Sequence, residues 1–86
     1  MSNFSIQTAQ QLSSHLRSLR KRLGLTQAQL GIRLQVEQAR IGKIERNPGS
    51  ISVEQLLHIL AVLEAELFIQ PKEGKPRSTA KHKAVW

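Results

Sequence analysis

Three stretches of this sequence carry the same helix-start signature. Thr8-Ala9-Gln10-Gln11, Thr26-Gln27-Ala28-Gln29 and Ser52-Val53-Glu54-Gln55 each match S/T-x-x-E/Q. In such a capping box the hydroxyl of the first residue accepts the amide three positions on, and the Gln or Glu side chain there reaches back to the first residue's N–H. A single match says little. Three matches, each leading into an apolar periodic stretch, describe a helical protein.

The first helix reads from Ala9 to Leu23, with Leu12, Leu16, Leu19 and Leu23 on one face and Gly24 as its stop. Arg17 and Lys21 stand away from that leucine stripe, whereas Arg20 lies beside it, toward the edge of the core. A short second helix runs from Gln27 to Leu34 with Ala28, Leu30 and Leu34 as its apolar positions, and Gln35-Val36-Glu37 connects it onward. The third, Gln38 to Arg46, turns Ile41 and Ile44 inward and Arg40 and Lys43 outward; Asn47-Pro48-Gly49 ends it. The fourth, Val53 to Glu64, holds Leu56, Leu57, Ile59, Leu60, Val62 and Leu63, more than one stripe. It is expected to be covered on two sides, and in so short a chain a second protomer is the economical second cover. Glu66 to Gln70 then switches to a β-favouring run stopped by Pro71. A lone strand is unstable in water, so Leu67, Phe68 and Ile69, with Leu60 and Leu63, are assigned to pairing with a second copy. Residues 72–85 are polar and basic and read as a disordered tail ending in Trp86. The organisation is therefore a mainly α domain of four to five helices and one short strand over residues 1–70, then a tail over 71–86.

At 86 residues there is length for one domain. The formal charge of +7 is unevenly placed: residues 1–47 carry +6, residues 48–70 carry −3 with no Lys or Arg, and residues 71–86 carry +4. A basic, acidic, basic succession suggests a nucleic-acid-facing half, an association half and a basic tail. The absence of cysteine excludes disulfide scaffolds, Cys-ligated zinc and thiol catalysis. Asp is also absent and His15, His58 and His82 are scattered, so no catalytic residue, metal site or cofactor is assigned. No apolar run approaches the ~18 residues of a membrane span, and no leader segment is evident. The expected location is cytoplasmic, on the nucleoid.

Two short helices joined by a three-residue connection after a longer first helix form the helix-turn-helix order. Thr26-Gln27-Ala28-Gln29-Leu30-Gly31 followed by Val36-Glu37-Gln38-Ala39-Arg40-Ile41-Gly42-Lys43-Ile44-Glu45-Arg46-Asn47 resembles the Xre/Cro family of repressor domains. From Thr8 through Gln70, and again at Trp86, the chain is most similar to HipB-type antitoxins. This resemblance implies a lambda-repressor-like fold, a homodimer on a palindromic operator, and a HipA-like Ser/Thr kinase toxin as partner, with or without an additional small antitoxin subunit. It also implies that Arg20 pairs with Glu45, orienting the recognition helix, and that Trp86 docks into the toxin rather than standing idle.

The residues support such a reading on their own chemistry. Gly31 supplies the small residue where the two helices cross, and Val36, Ile41 and Ile44 lock the third helix in place. The N-terminus of the second helix offers amides to a phosphate, with Gln27 standing there. Gln38 can pair with adenine N6 and N7, and Ala39 fits a thymine methyl. Arg40 and Lys43 either read guanine or hold a phosphate, and Arg17 and Lys21 are further phosphate candidates. Glu37 suits the start of the third helix. Two features depart from an easy fit. Gln35 stands where the family usually has Gly, at a cost of ~1 kcal/mol for a left-handed residue. Gly42 weakens its helix by about 1 kcal/mol, which suggests close approach of its backbone to DNA. The contrasting readings are a stand-alone repressor of the same family and a protein-interaction module without specific DNA readout.

Overall fold

A computed structural model of the chain describes residues 4–72. The tail assignments, Trp86 among them, lie outside the described residues. Four helices follow one another: α1 (Ala9–Arg22), α2 (Gln27–Leu34), α3 (Gln38–Arg46) and α4 (Val53–Val62), with a single 3₁₀ turn at Pro48–Ser50 before the last.

The start signals are met unequally. At Thr8 and Thr26 both halves of the capping box form. Gln11 and Gln29 donate their amides to the threonine hydroxyls at 3.1 and 3.0 Å. Thr8 and Thr26 donate theirs to the glutamine Oε1 atoms at 3.1 and 2.9 Å. At Ser52 only the first half forms: the Gln55 amide donates to Ser52 Oγ at 3.0 Å, but the Gln55 side chain turns elsewhere. α3 starts at Glu37 with no side-chain cap bond.

Three helices end by one device. A residue in the left-handed region bonds its N–H three residues back, and the next N–H bonds five back, the double closure of a Schellman turn. Gly24 and Leu25 close α1 on Lys21 and Arg20, Gln35 and Val36 close α2 on Ile32 and Gly31, and Glu64 and Ala65 close α4 on Ala61 and Leu60. The left-handed residues have φ of 73° at Gly24 and 61° at both Gln35 and Glu64. Glycine suits this region; at Gln35 and Glu64 a Cβ costs roughly 1 kcal/mol each. The turn at Glu64 also corrects the expected extent of α4, which stops at Val62.

Leu16 of α1, Leu25, Leu30 of α2, Ile41 and Ile44 of α3, and Ile59, Leu60 and Leu63 of and beyond α4 make the buried core. Leu25, Val36 and Ala65, the residues just after each left-handed turn, all pack into or against it. Leu60 and Leu63 were expected on an association surface; they are 6% and 0% exposed within this one chain and belong to its own core. Helical periodicity cannot distinguish a face covered by the same chain from one covered by another. What α4 leaves open is Val53 and Leu57, continued by Leu67, Phe68 and Ile69, the last two 71% and 93% exposed.

The expected strand is absent among the described residues: Glu66 to Gln70 forms neither helix nor strand. Pairing needs a second strand, and the described chain has none to offer. No described helix is long and apolar enough to cross a membrane.

Candidate nucleic-acid interface

α3 is held in place by its penultimate residue. Glu45 is almost wholly buried, and two elements send it donors. From α1, Arg20 donates through Nε to Oε2 at 2.6 Å and through Nη2 to Oε1 at 3.2 Å, a bidentate pair. From the first position of α2, Gln27 Nε2 donates to Oε1 at 3.1 Å. Ser13 of α1 donates its hydroxyl to the Glu45 backbone carbonyl. The remaining Arg20 amino group, Nη1, donates to the Leu25 carbonyl at 3.0 Å, just past the turn that closes α1. Arg17 Nε stands 3.9 Å from Glu45 Oε1 with its side chain 42% exposed, against 3% for Glu45. At that distance and exposure it adds little to stability. Arg20, by contrast, is buried and would be left an uncompensated charge without Glu45, a loss of about 3–5 kcal/mol. Among the described residues no buried side-chain nitrogen or oxygen lacks a partner.

The junction positions α3 rigidly and consumes charge internally. With Ile41, Gly42, Ile44 and Glu45 inward, the outward surface of α3 consists of Gln38, Ala39, Arg40, Lys43 and Arg46, all exposed. The structure thus leaves all four expected readout residues of α3 exposed: Ala39, Arg40 and Lys43 on its outward side and Gln38 at its first position. Lys21 is exposed on α1, and Arg17 stands at the rim of the junction.

Two expectations change here. Gln27 was assigned to a phosphate, but one of its amide donors is committed to Glu45. Gly42 was expected to meet DNA; it is buried, and a Cβ there would lie 3.7 Å from Gln27 Oε1 and 3.4 Å from Arg46 Nη1. These are ordinary van der Waals distances, so Gly42 lies against the Gln27 amide without being required by it. Gly31, in contrast, is where the chain doubles back: a Cβ would come 2.7 Å from the Val36 carbonyl oxygen.

Sequence reading missed Ser13 and Gln55. Ser13 adjoins Leu12 and precedes Leu16 by one turn, so a small hydroxyl on the buried face was a visible sign of a polar partner in the core. Gln55 looked fully employed as the closing residue of a capping box, yet its Oε1 accepts from Arg40 Nη2 at 3.2 Å. Among the described residues there is no cluster of His, Cys, Asp or Glu suited to a metal ion.

Residues 11–67, from within α1 to beyond α4, match the helix-turn-helix domain family, and the chain belongs to it. Antitoxin HipB of Escherichia coli (strain K12) is 29% identical to this chain over 87 residues, spanning 100% of it and 99% of HipB. Among solved structures, the HipB–O1–O2 complex superposes with a TM-score of 0.71 at 26% identity, covering 80% of this chain and all of the other. The HipA–HipB–O2–O3 complex gives 0.73 at 25% identity, covering 83% and 100%.

Proposed function

We propose that this chain is a homodimeric, sequence-specific DNA-binding repressor that serves as the antitoxin of a HipA-like Ser/Thr kinase toxin and autoregulates its own operon. The observation that carries the reading is the face of α3. Gln38, Ala39, Arg40 and Lys43 are all exposed on a helix whose inner face is tied by Glu45 to α1 and α2. Such a face offers an adenine-pairing amide, a methyl-sized contact and two cations, the set that reads a major groove. Likeness to HipB along nearly its whole length supports the antitoxin part, and the HipA–HipB–O2–O3 complex supports a HipA-like partner. Arg17 and Lys21 serve as phosphate contacts beside the main-chain amides of the α2 N-terminus. Residues 1–70 are the DNA-binding and dimerisation unit, with Leu67, Phe68 and Ile69 pairing across the dimer. Residues 71–86 are the tail whose Trp86 enters the toxin.

Titration of the protein against a duplex from the promoter upstream of its own reading frame, over a range of salt, tests the proposal. The expected result is a preference for that duplex over scrambled DNA, with affinity falling steeply as salt rises. Equal, weak affinity for every sequence would overturn it and leave a protein-interaction module.

A further inference from the structure

Gln55 begins in the sequence as a capping residue and ends in the structure as something else. It sits three residues past Ser52, donates its amide to the Ser52 hydroxyl, and so has its backbone placed to close the box. At Thr8 and Thr26 the glutamine in this position returns its Oε1 to the cap N–H. Gln55 alone spends Oε1 on another helix, accepting from Arg40 Nη2 across fifteen residues of chain. Its half-buried side chain leans on the third residue of the outward-facing helix α3.

Arginine brings five donors in a fixed fork, so one bond from Nη2 leaves four free. A flexible side chain held at one corner loses less freedom when it binds than one moving in water. From these observations we infer that Gln55 is a positioning residue for DNA readout: it holds the Arg40 guanidinium at a set place beside α3 while leaving most of its donors open. The inference rests on the DNA-binding reading above. It adds that α4, a helix outside the helix-turn-helix pair, contributes to recognition without touching DNA. The incomplete box at Ser52 follows from the same choice of partner.

A four-member cycle tests this, with the wild type, Gln55→Met, Arg40→Ala and the double variant titrated against the same promoter duplex. Methionine keeps the length of glutamine and removes its acceptor. Gln55→Met is expected to weaken binding roughly 3- to 10-fold, as loss of one pre-ordered long side chain implies. In the Arg40→Ala background it should change affinity by less than about 2-fold, because contacting residues couple and independent ones add. Side-chain NMR relaxation of the DNA-free protein should show Arg40 Nε ordered in the wild type and mobile in Gln55→Met, with the melting temperature preserved. Equal weakening in both backgrounds would overturn the inference, since Gln55 would then act by itself. So would no weakening at all in a wild type that binds its promoter selectively. A wild type without sequence preference would sink the DNA-binding reading itself, and this inference with it.

Discussion

The junction around Glu45 and the stretch from α4 to Gln70 are built on opposite plans. At the junction the buried polar groups find their partners inside the chain: a carboxylate, a guanidinium, one amide donor, a hydroxyl and two backbone carbonyls meet. Beyond Leu63 the reverse holds. Leu67, Phe68 and Ile69 stand in the open, together with Val53 and Leu57 of α4. Large apolar side chains exposed together commonly mark surfaces that another protein covers. The junction is satisfied within the single chain, while α4 and the segment after it leave five large apolar side chains exposed. The difference assigns rigidity to the helix proposed to read DNA and openness to the segment proposed to associate.

Substitutions can break that contrast at either end. Glu45→Ala should be the most damaging, leaving Arg20 buried without a counter-charge and destabilising the fold by about 3–5 kcal/mol in chemical denaturation. A loss under about 1 kcal/mol would mean the junction is not the rigid element argued here. Phe68→Pro attacks the other end. If the segment pairs between copies, removing one ladder donor should weaken self-association by roughly 1–3 kcal/mol, about 5- to 150-fold. Sedimentation should then show monomer where the wild type shows dimer; an unshifted dimer would place the interface elsewhere. Gly31→Ala drives a methyl into the Val36 carbonyl and should cost about 1–3 kcal/mol in thermal unfolding, without altering self-association. Smallest is Gln35→Gly, which relieves a strained φ and gives back part of that gain as unfolded-chain entropy. A rise in stability of about 0.5 kcal/mol is expected, and a loss would show that the Gln35 side chain matters to the turn.

What the sequence made legible was whatever depended on near neighbours. The boxes at Thr8 and Thr26 could be read because all their partners lie within three residues. The box at Ser52 could not, because the partner of Gln55 comes from another helix. Periodicity identified Leu60 and Leu63 as inward-facing but carried no information on whose interior they face; the structure puts them in their own. The end of α4 was invisible for a related reason, since Glu64 takes the left-handed conformation without being glycine. In the candidate interface, Arg40 and Lys43 were legible as outward-facing because they stand opposite Ile41 and Ile44, whereas Gln38 and Ala39 were assigned from their chemistry at the start of α3. The commitment of Gln27 to Glu45, and the burial of Gly42 beside the Gln27 amide, emerged only when α2 and α3 were brought together.

The repeated Schellman closures bear on how the chain finds its shape. Each joint is completed within six residues, and each sets the following apolar residue, Leu25, Val36 or Ala65, against the core. Three changes of direction thus rest on hydrogen bonds that are local in sequence. Among the hydrogen bonds of the described residues, those to Glu45 close the longest loops, 25 residues for Arg20 and 32 for Ser13. Helical topologies of this local kind fold in microseconds to milliseconds. In this chain the last event to lock should be the arrival of Glu45, which turns three jointed helices into one body.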